Sequence, residues 1–189
     1  MTTRLGVLAS GRGSNFQAIQ REIESGGLDA EISLLLSDRA NAPALAIAGE
    51  HGIRARSLPY DKSDREAFER AAGDALEDAG CQWIVLAGFM RILTPYFIGR
   101  FAGRILNIHP SLLPSFKGLH PQRQALEAGV KFSGCTVHLV THELDAGPIL
   151  AQAVVPVYDS DTEESLSQRI LTQEHRLYPE AIRVLQKRG

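Results

Sequence analysis

The feature that most restricts this chain is an alternation of two hydrophobic periods. Short β-branched or leucine-rich runs, "RLGVLAS", "EISLLLS", "RARSLP", "QWIVLAG" and "RILNIH", are separated by longer stretches with helical spacing that begin near Ser14, Pro43, Asp64 and Thr94. Consecutive apolar positions suit strands covered on both faces, and strands that alternate with helices build a parallel sheet. The pattern predicts an α/β fold with a mostly parallel central sheet and helices on both faces. After residue 130 it changes to two strand-like runs, "GCTVHLVTH" and "ILAQAVVPV", joined by "ELDAGP", and then to one long helix opening at Asp161 or Thr162. "SDRE" at 63–66 reads as a capping box in which Ser63 receives and Glu66 reaches back, with the helix running to about Ala79 and stopping at Gly80.

A chain of 189 residues can bury one substantial core, so a single domain over 1–189 is expected. The net charge of -2 is spread without long like-charged blocks and argues against a nucleic-acid or membrane-surface partner. Small-molecule substrates fit better. Cys81 and Cys135 are the only cysteines, too few and too far apart for a zinc motif, and read as buried thiols. "MTTRLGVLASGRGSN" lacks the apolar length and cleavage pattern of a signal peptide, and no run approaches a membrane span. A cytoplasmic protein is expected.

The first candidate for chemistry is "LASGRGSNFQAI". It leaves a strand, turns through Gly11 and Gly13, and enters a helix that Ser14 or Asn15 can cap. Converging backbone N–H groups and a helix start make a phosphate site, and Arg12 adds a full charge. Neither common nucleotide motif is complete: Phe16 replaces the third glycine of G-x-G-x-x-G, and no lysine follows as in a Walker loop. The loop alone leaves open both phosphate binding and a plain strand-to-helix turn.

"ILNIHPSLLP" is more informative. Ligands of open parallel sheets sit beyond the carboxyl ends of the strands, and there the period of two puts Asn107 and His109 on one face, with Ile108 on the other. Pro110 and Pro114 stiffen the support. A lone histidine at a strand end is usually structural, but "ELDAGP" supplies Asp145 on a turn that can carry a carboxylate to the same edge. An aspartate beside a histidine favours the imidazolium, and an amide beside both can stabilise an oxyanion. The trio suits attack on an activated carbonyl with no nucleophilic Ser or Cys. His120, His138, His142 and Glu143 match no metal-binding spacing and read as solvated or structural, so no metal is expected.

"LAGFMRIL", "GRILNIHPSLLPSFKGLHPQRQAL", "VHLVTHELDAGPIL" and "TQEHRLYPEAI", together with "SGRGSN", resemble the phosphoribosylglycinamide formyltransferases, folate-dependent enzymes of de novo purine synthesis. The resemblance covers nearly the whole chain and implies a single Rossmann-like formyltransferase domain, with a phosphate-binding half over 1–100 and a folate and catalytic half over 101–189. It implies 10-formyltetrahydrofolate as co-substrate and glycinamide ribonucleotide as acceptor, in a monomer or homodimer. Asn107 and His109 match the family's catalytic amide and proton donor, and Asp145 the carboxylate that supports the histidine. Arg12, Gly13, Ser14 and Asn15 fall on the substrate-phosphate loop, and Glu174 on a ribonucleotide contact. Met90, Arg91, Ile92 and Leu93 line the folate pocket, Arg65 lies near the glutamate tail, and Val140, Thr141, His142, Glu143, Leu144 and Asp145 form the pterin loop, with Asn107 also against the folate. The Leu113–Pro114 bond is cis in relatives.

Pro121 and His142 depart from residues common in relatives, the latter beside the pterin, and the chain stops after "QKRG", earlier than some members. A formyltetrahydrofolate hydrolase would share the catalytic trio but normally carries a preceding regulatory domain and lacks "SGRGSN". Methionyl-tRNA formyltransferase needs a second, basic, tRNA-binding domain. A non-catalytic nucleotide-binding module would have no use for Asn107, His109 and Asp145.

Overall fold

The computed structural model describes residues 2–187. It contains β1 (Thr3–Leu8), α1 (Ser14–Glu24), β2 (Ala30–Ser37), α2 (Pro43–Glu50), β3 (Ala55–Ser57), α3 (Arg65–Asp78), β4 (Trp83–Leu86), α4 (Pro95–Arg100), β5 (Ile105–His109), α5 (Pro121–Glu127), β6 (Phe132–Leu139), β7 (Ile149–Pro156) and α6 (Glu163–Gln186). The seven strands form a mostly parallel sheet in the order β3-β2-β1-β4-β5-β6-β7, as the alternation of periods predicts. The chain divides into two compact units, Met1–Leu106 and Asn107–Gly189, with the boundary inside β5.

In the first unit β1 pairs in parallel with β2 and β4, and β2 with β3. Leu5, Val7, Leu8, Leu35, Leu36, Ile84 and Val85 are fully buried, which is why those runs carry no polar alternation. On α3 the buried Phe68, Ala72, Ala75 and Leu76 recur at helical spacing. Its start corrects the capping box read from "SDRE". Asp64, not Ser63, is the cap, accepting from the Ala67 N–H at 3.0 Å. Ser63 folds back on Asp61 through both its N–H and its hydroxyl, and Glu66 instead pairs with Arg70 one turn on. The run "RARSLP" yields a strand of only three residues at the sheet edge.

In the second unit β6 and β7 form an antiparallel pair, with Thr136 opposite Gln152 and His138 opposite Ile149. The long helix α6 packs on both strands through Leu166, Ile170, Leu177, Tyr178, Ala181 and Ile182. It opens at Thr162, whose side chain accepts from the Ser165 N–H while Ser165 returns to the Thr162 N–H. Both cysteines are free and buried, as expected; burial pushes the Cys81 thiol up to about 11 and the Cys135 thiol up to about 12, so neither is a thiolate at neutral pH.

Candidate active site

Asn107 and His109 stand at the carboxyl end of β5, and the loop between β6 and β7 carries Asp145 to them, all within the second unit. His109 Nε2 lies 2.9 Å from the Phe116 carbonyl, and Nδ1 lies 3.4 Å from Asp145 Oδ2. A carbonyl only accepts, so Nε2 carries a hydrogen and is committed. Nδ1 is the nitrogen that faces the carboxylate. Asp145 Oδ2 also accepts from the Gly118 N–H at 2.9 Å. The side chains of His109 and Asp145 are 7% and 8% exposed, so little solvent screens their attraction.

A fourth member completes the cluster. His138, near the end of β6, is 2% exposed, with Nε2 3.3 Å from Asn107 Nδ2 and 3.7 Å from Asp145 Oδ1. Burial pushes its imidazole below the usual range, against smaller upward pulls from the Leu139 carbonyl and the Asp145 charge. The sequence grouped His138 with His120 and His142 as solvated or structural. His120 and His142 are indeed exposed, with His120 near Glu163, but His138 is part of the polar cluster. The signal was available: by the period of two, His138 shares a face of β6 with Thr136.

The loop after β5 is held by a saturated hydroxyl. Thr136 Oγ1 donates to the Ser111 carbonyl at 2.7 Å and accepts from the Leu113 N–H and Gln152 Nε2, each at 3.0 Å, so its one hydrogen and both lone pairs are used. The Leu113–Pro114 bond is cis, as the resemblance implies. Among the described residues, those other than glycine with left-handed backbone are Phe116, His120 and Asp145, with φ of 56°, 55° and 48°. Two of the three contact His109 directly. Such conformations cost of order 1–3 kcal/mol each and collect where a site holds its backbone in place. Around the loop 140–145, Leu144 is exposed next to Gly118, and Leu119 and Ile149 are exposed on the flanking segments. Apolar surface beside a buried polar cluster suits a flat heteroaromatic ligand. Val140 is half-buried, and Thr141, His142 and Glu143 are exposed, with Glu143 3.6 Å from Lys117.

The glycine-rich loop lies in the first unit. A cavity of about 240 Å³ is lined by Arg12, Gly13, Ser14, Asn15, Arg39 and Met90, among others. The expected cap is corrected here: Gly13, in the left-handed region, is the N-cap, Ser14 is already helical, and no side chain caps α1. The first turn contains no acidic residue, so no carboxylate offsets the positive end of the helix dipole there, and a helix start of that kind suits an anion. Arg39, missed in the sequence, follows the carboxyl end of β2, where parallel sheets place ligand residues.

Of the residues expected around the folate, Met90 and Ile92 are exposed, Leu93 is buried and Arg65 is exposed at the start of α3. Arg91 is held in place: its Nε donates to buried Asp38 at 2.6 Å, and its guanidinium lies 4.2 Å over the Tyr60 ring. Glu174 is buried on α6, where its charge adds to the elevation of the Cys135 thiol.

Comparison with known proteins agrees with this geometry. Residues 3–182 match the family described as Formyl transferase. The chain is 45% identical over 174 residues to phosphoribosylglycinamide formyltransferase of Escherichia coli (strain K12), covering 92% of this chain and 82% of that one. It is 44% identical over 185 residues to the trifunctional purine biosynthetic protein adenosine-3 of Chironomus tentans, covering 96% of this chain but spanning only 14% of that protein. Its fold is similar to the crystal structure of glycinamide ribonucleotide transformylase 1 from Symbiobacterium toebii, with a TM-score of 0.92 and 48% identity over 96% of this chain and 86% of that one. A half-buried amide and a buried imidazole at the end of β5, met by a carboxylate from the β6–β7 loop, in a chain matched along nearly its whole length, lead to one conclusion: the chain belongs to the formyl transferase family.

Proposed function

We propose that this chain transfers the formyl group of 10-formyltetrahydrofolate to the primary amine of glycinamide ribonucleotide. The observation that supports this reading is the cluster in which His109 faces Asp145 and His138 lies between Asp145 and Asn107, in a member of the formyl transferase family. The amine nitrogen attacks the formyl carbon, a C–N bond forms, and the carbonyl electron pair moves onto oxygen. Asn107 Nδ2–H and His109 Nδ1–H donate to that oxyanion, while Nε2 stays on the Phe116 carbonyl and holds the ring. Asp145 takes the proton from the attacking nitrogen and returns it to the folate nitrogen as the second C–N bond breaks. Atoms and charge balance with no covalent enzyme intermediate. The first unit holds the substrate phosphate at the positive N-terminal end of α1, with Arg12 and Arg39 supplying positive charge. In the second unit, the loop 140–145, with Leu144 exposed on it, supports the pterin.

The test is to mix the protein with 10-formyltetrahydrofolate and follow formyl loss with and without glycinamide ribonucleotide. Loss only in the presence of the amine is expected; equal loss without it would make the protein a hydrolase. His109→Ala should lower kcat by at least about a hundredfold with the ribonucleotide KM within about threefold. Normal turnover in that variant would remove His109 from the mechanism.

A further inference from the structure

The contact between Asn107 and His138 carries more than packing. A side-chain amide has a donor end and an acceptor end of nearly the same shape, and only the donor end can stabilise a negative oxygen. Something must therefore fix which end faces the reaction. The hydrogens on His138 can be placed by elimination. Its Nδ1 lies 3.1 Å from the Leu139 carbonyl, which can only accept, so Nδ1 carries a hydrogen. At 2% exposure, with burial disfavouring a second proton, Nε2 keeps its lone pair. The neighbour that lone pair meets, at 3.3 Å, is the amide nitrogen of Asn107.

We propose that His138 is a positioning residue, whose Nε2 accepts one N–H of Asn107 and so locks the amide with its second N–H available to the oxyanion. The reverse orientation would set Asn107 Oδ1 against the Nε2 lone pair, two acceptors face to face in a buried site. It would also turn a carbonyl oxygen toward the developing negative charge. Asp145 Oδ1 lies 3.7 Å from Nε2, beyond hydrogen-bond distance, consistent with a ring nitrogen that accepts rather than donates. The approach of Asn107 and His138 joins β5 to β6 across 31 positions of sequence, and both residues lie in the second unit.

This inference rests on Asn107 being an oxyanion donor, and the experiment separates the two. Asparagine at 138 can keep a donor near Nδ1 but loses the acceptor at Nε2, whereas glutamine can place an acceptor near Nε2. His138→Asn should lower kcat by roughly ten- to a hundredfold, with both KM values within about twofold, and His138→Gln should recover to within about threefold of the parent. In an Asn107→Ala background, His138→Asn should cost less than about twofold, because the residue it positions is gone. A loss that persists undiminished in that background, or equal impairment by Asn and Gln, overturns the proposal. If Asn107→Ala itself leaves kcat unchanged, it is the oxyanion reading that fails. In the parent protein, ¹⁵N NMR of the His138 ring gives a readout independent of variant folding: a protonated Nδ1 and an unprotonated Nε2 at neutral pH are expected, and a protonated Nε2 refutes the assignment.

Discussion

His138 also makes a thermodynamic prediction at the scale of a single residue. Its folded-state pKa lies below the ordinary imidazole value of about 6.5, so between the two values the unfolded chain binds more protons. Stability linked to this ring is present above about pH 6.5 and is lost as pH falls through the folded value. His138→Gln should flatten the decline of unfolding free energy below pH 6.5, measured by urea titration across pH; an unchanged slope would show that the ring is not held neutral. Gly147 gives a steric prediction on the loop that carries Asp145. A Cβ there would stand 1.8 Å from the Leu139 carbonyl oxygen and 3.0 Å from Thr141 Cγ2, where Leu139 also accepts no slack because its N–H donates to the Pro148 carbonyl at 2.9 Å. Gly147→Ala should cost about 2–4 kcal/mol and lower kcat at least about tenfold by displacing Asp145; a variant of parental stability would mean that this turn is loose. The period of two made Asn107 and His109 legible in the sequence, and the bend in "ELDAGP" made Asp145 a candidate. It could not reveal the Phe116 carbonyl or the hydrogens of His138, because those depend on where distant backbone atoms come to rest.

Among the elements, the contact between α3 and α4 shows two effects of opposite sign. Arg100 on α4 reaches Asp74 at 2.7 Å and Glu77 at 2.6 Å on α3, and also reaches the Arg70 carbonyl and the Tyr96 hydroxyl. It crosses α3 at Gly73, where an added Cβ would meet Nη1 at 2.4 Å. The obstructed group is the end of a flexible side chain, so Gly73→Ala would displace the guanidinium rather than the backbone. Losing largely exposed ion pairs costs up to about 1 kcal/mol, and alanine in place of a helical glycine gains about the same. Gly73→Ala should therefore be nearly neutral alone, but in an Arg100→Ala background it should stabilise by about 0.5–1 kcal/mol. Chemical denaturation of the four-member cycle measures this; simple additivity would deny that the two positions share the crossing. Sequence placed the ends of α3 well, yet it moved the cap from Asp64 to Ser63. Both residue types can cap, and the choice was made by Asp61, which draws Ser63 away. At α1 the sequence offered Ser14 and Asn15 as caps, whereas the left-handed Gly13 starts the helix one residue early.

For the molecule as a whole, the strand-helix alternation was sufficient to predict the mostly parallel sheet, because every βα unit writes its own two periods into the chain. The hairpin of β6 and β7 was readable from its intervening turn, while the division into units inside β5 was not, since an unbroken apolar run gives no local sign of a boundary. The two units also carry different parts of the proposed reaction: the anion handle belongs to the first, and the proton chemistry to the second. A handle on a non-reacting group contributes binding energy only while that group is present. With glycinamide ribonucleotide, Arg12→Ala should raise the ribonucleotide KM by roughly tenfold or more and leave the folate KM within about twofold. With the corresponding nucleoside, which lacks the phosphate, parent and variant should have the same kcat/KM within about twofold. Arg39→Ala should follow the same pattern, because Arg39 lines the same cavity. An arginine variant that lost equal activity on the phosphorylated and unphosphorylated acceptors would act on the fold or the chemistry, and the anion would then have to be held elsewhere.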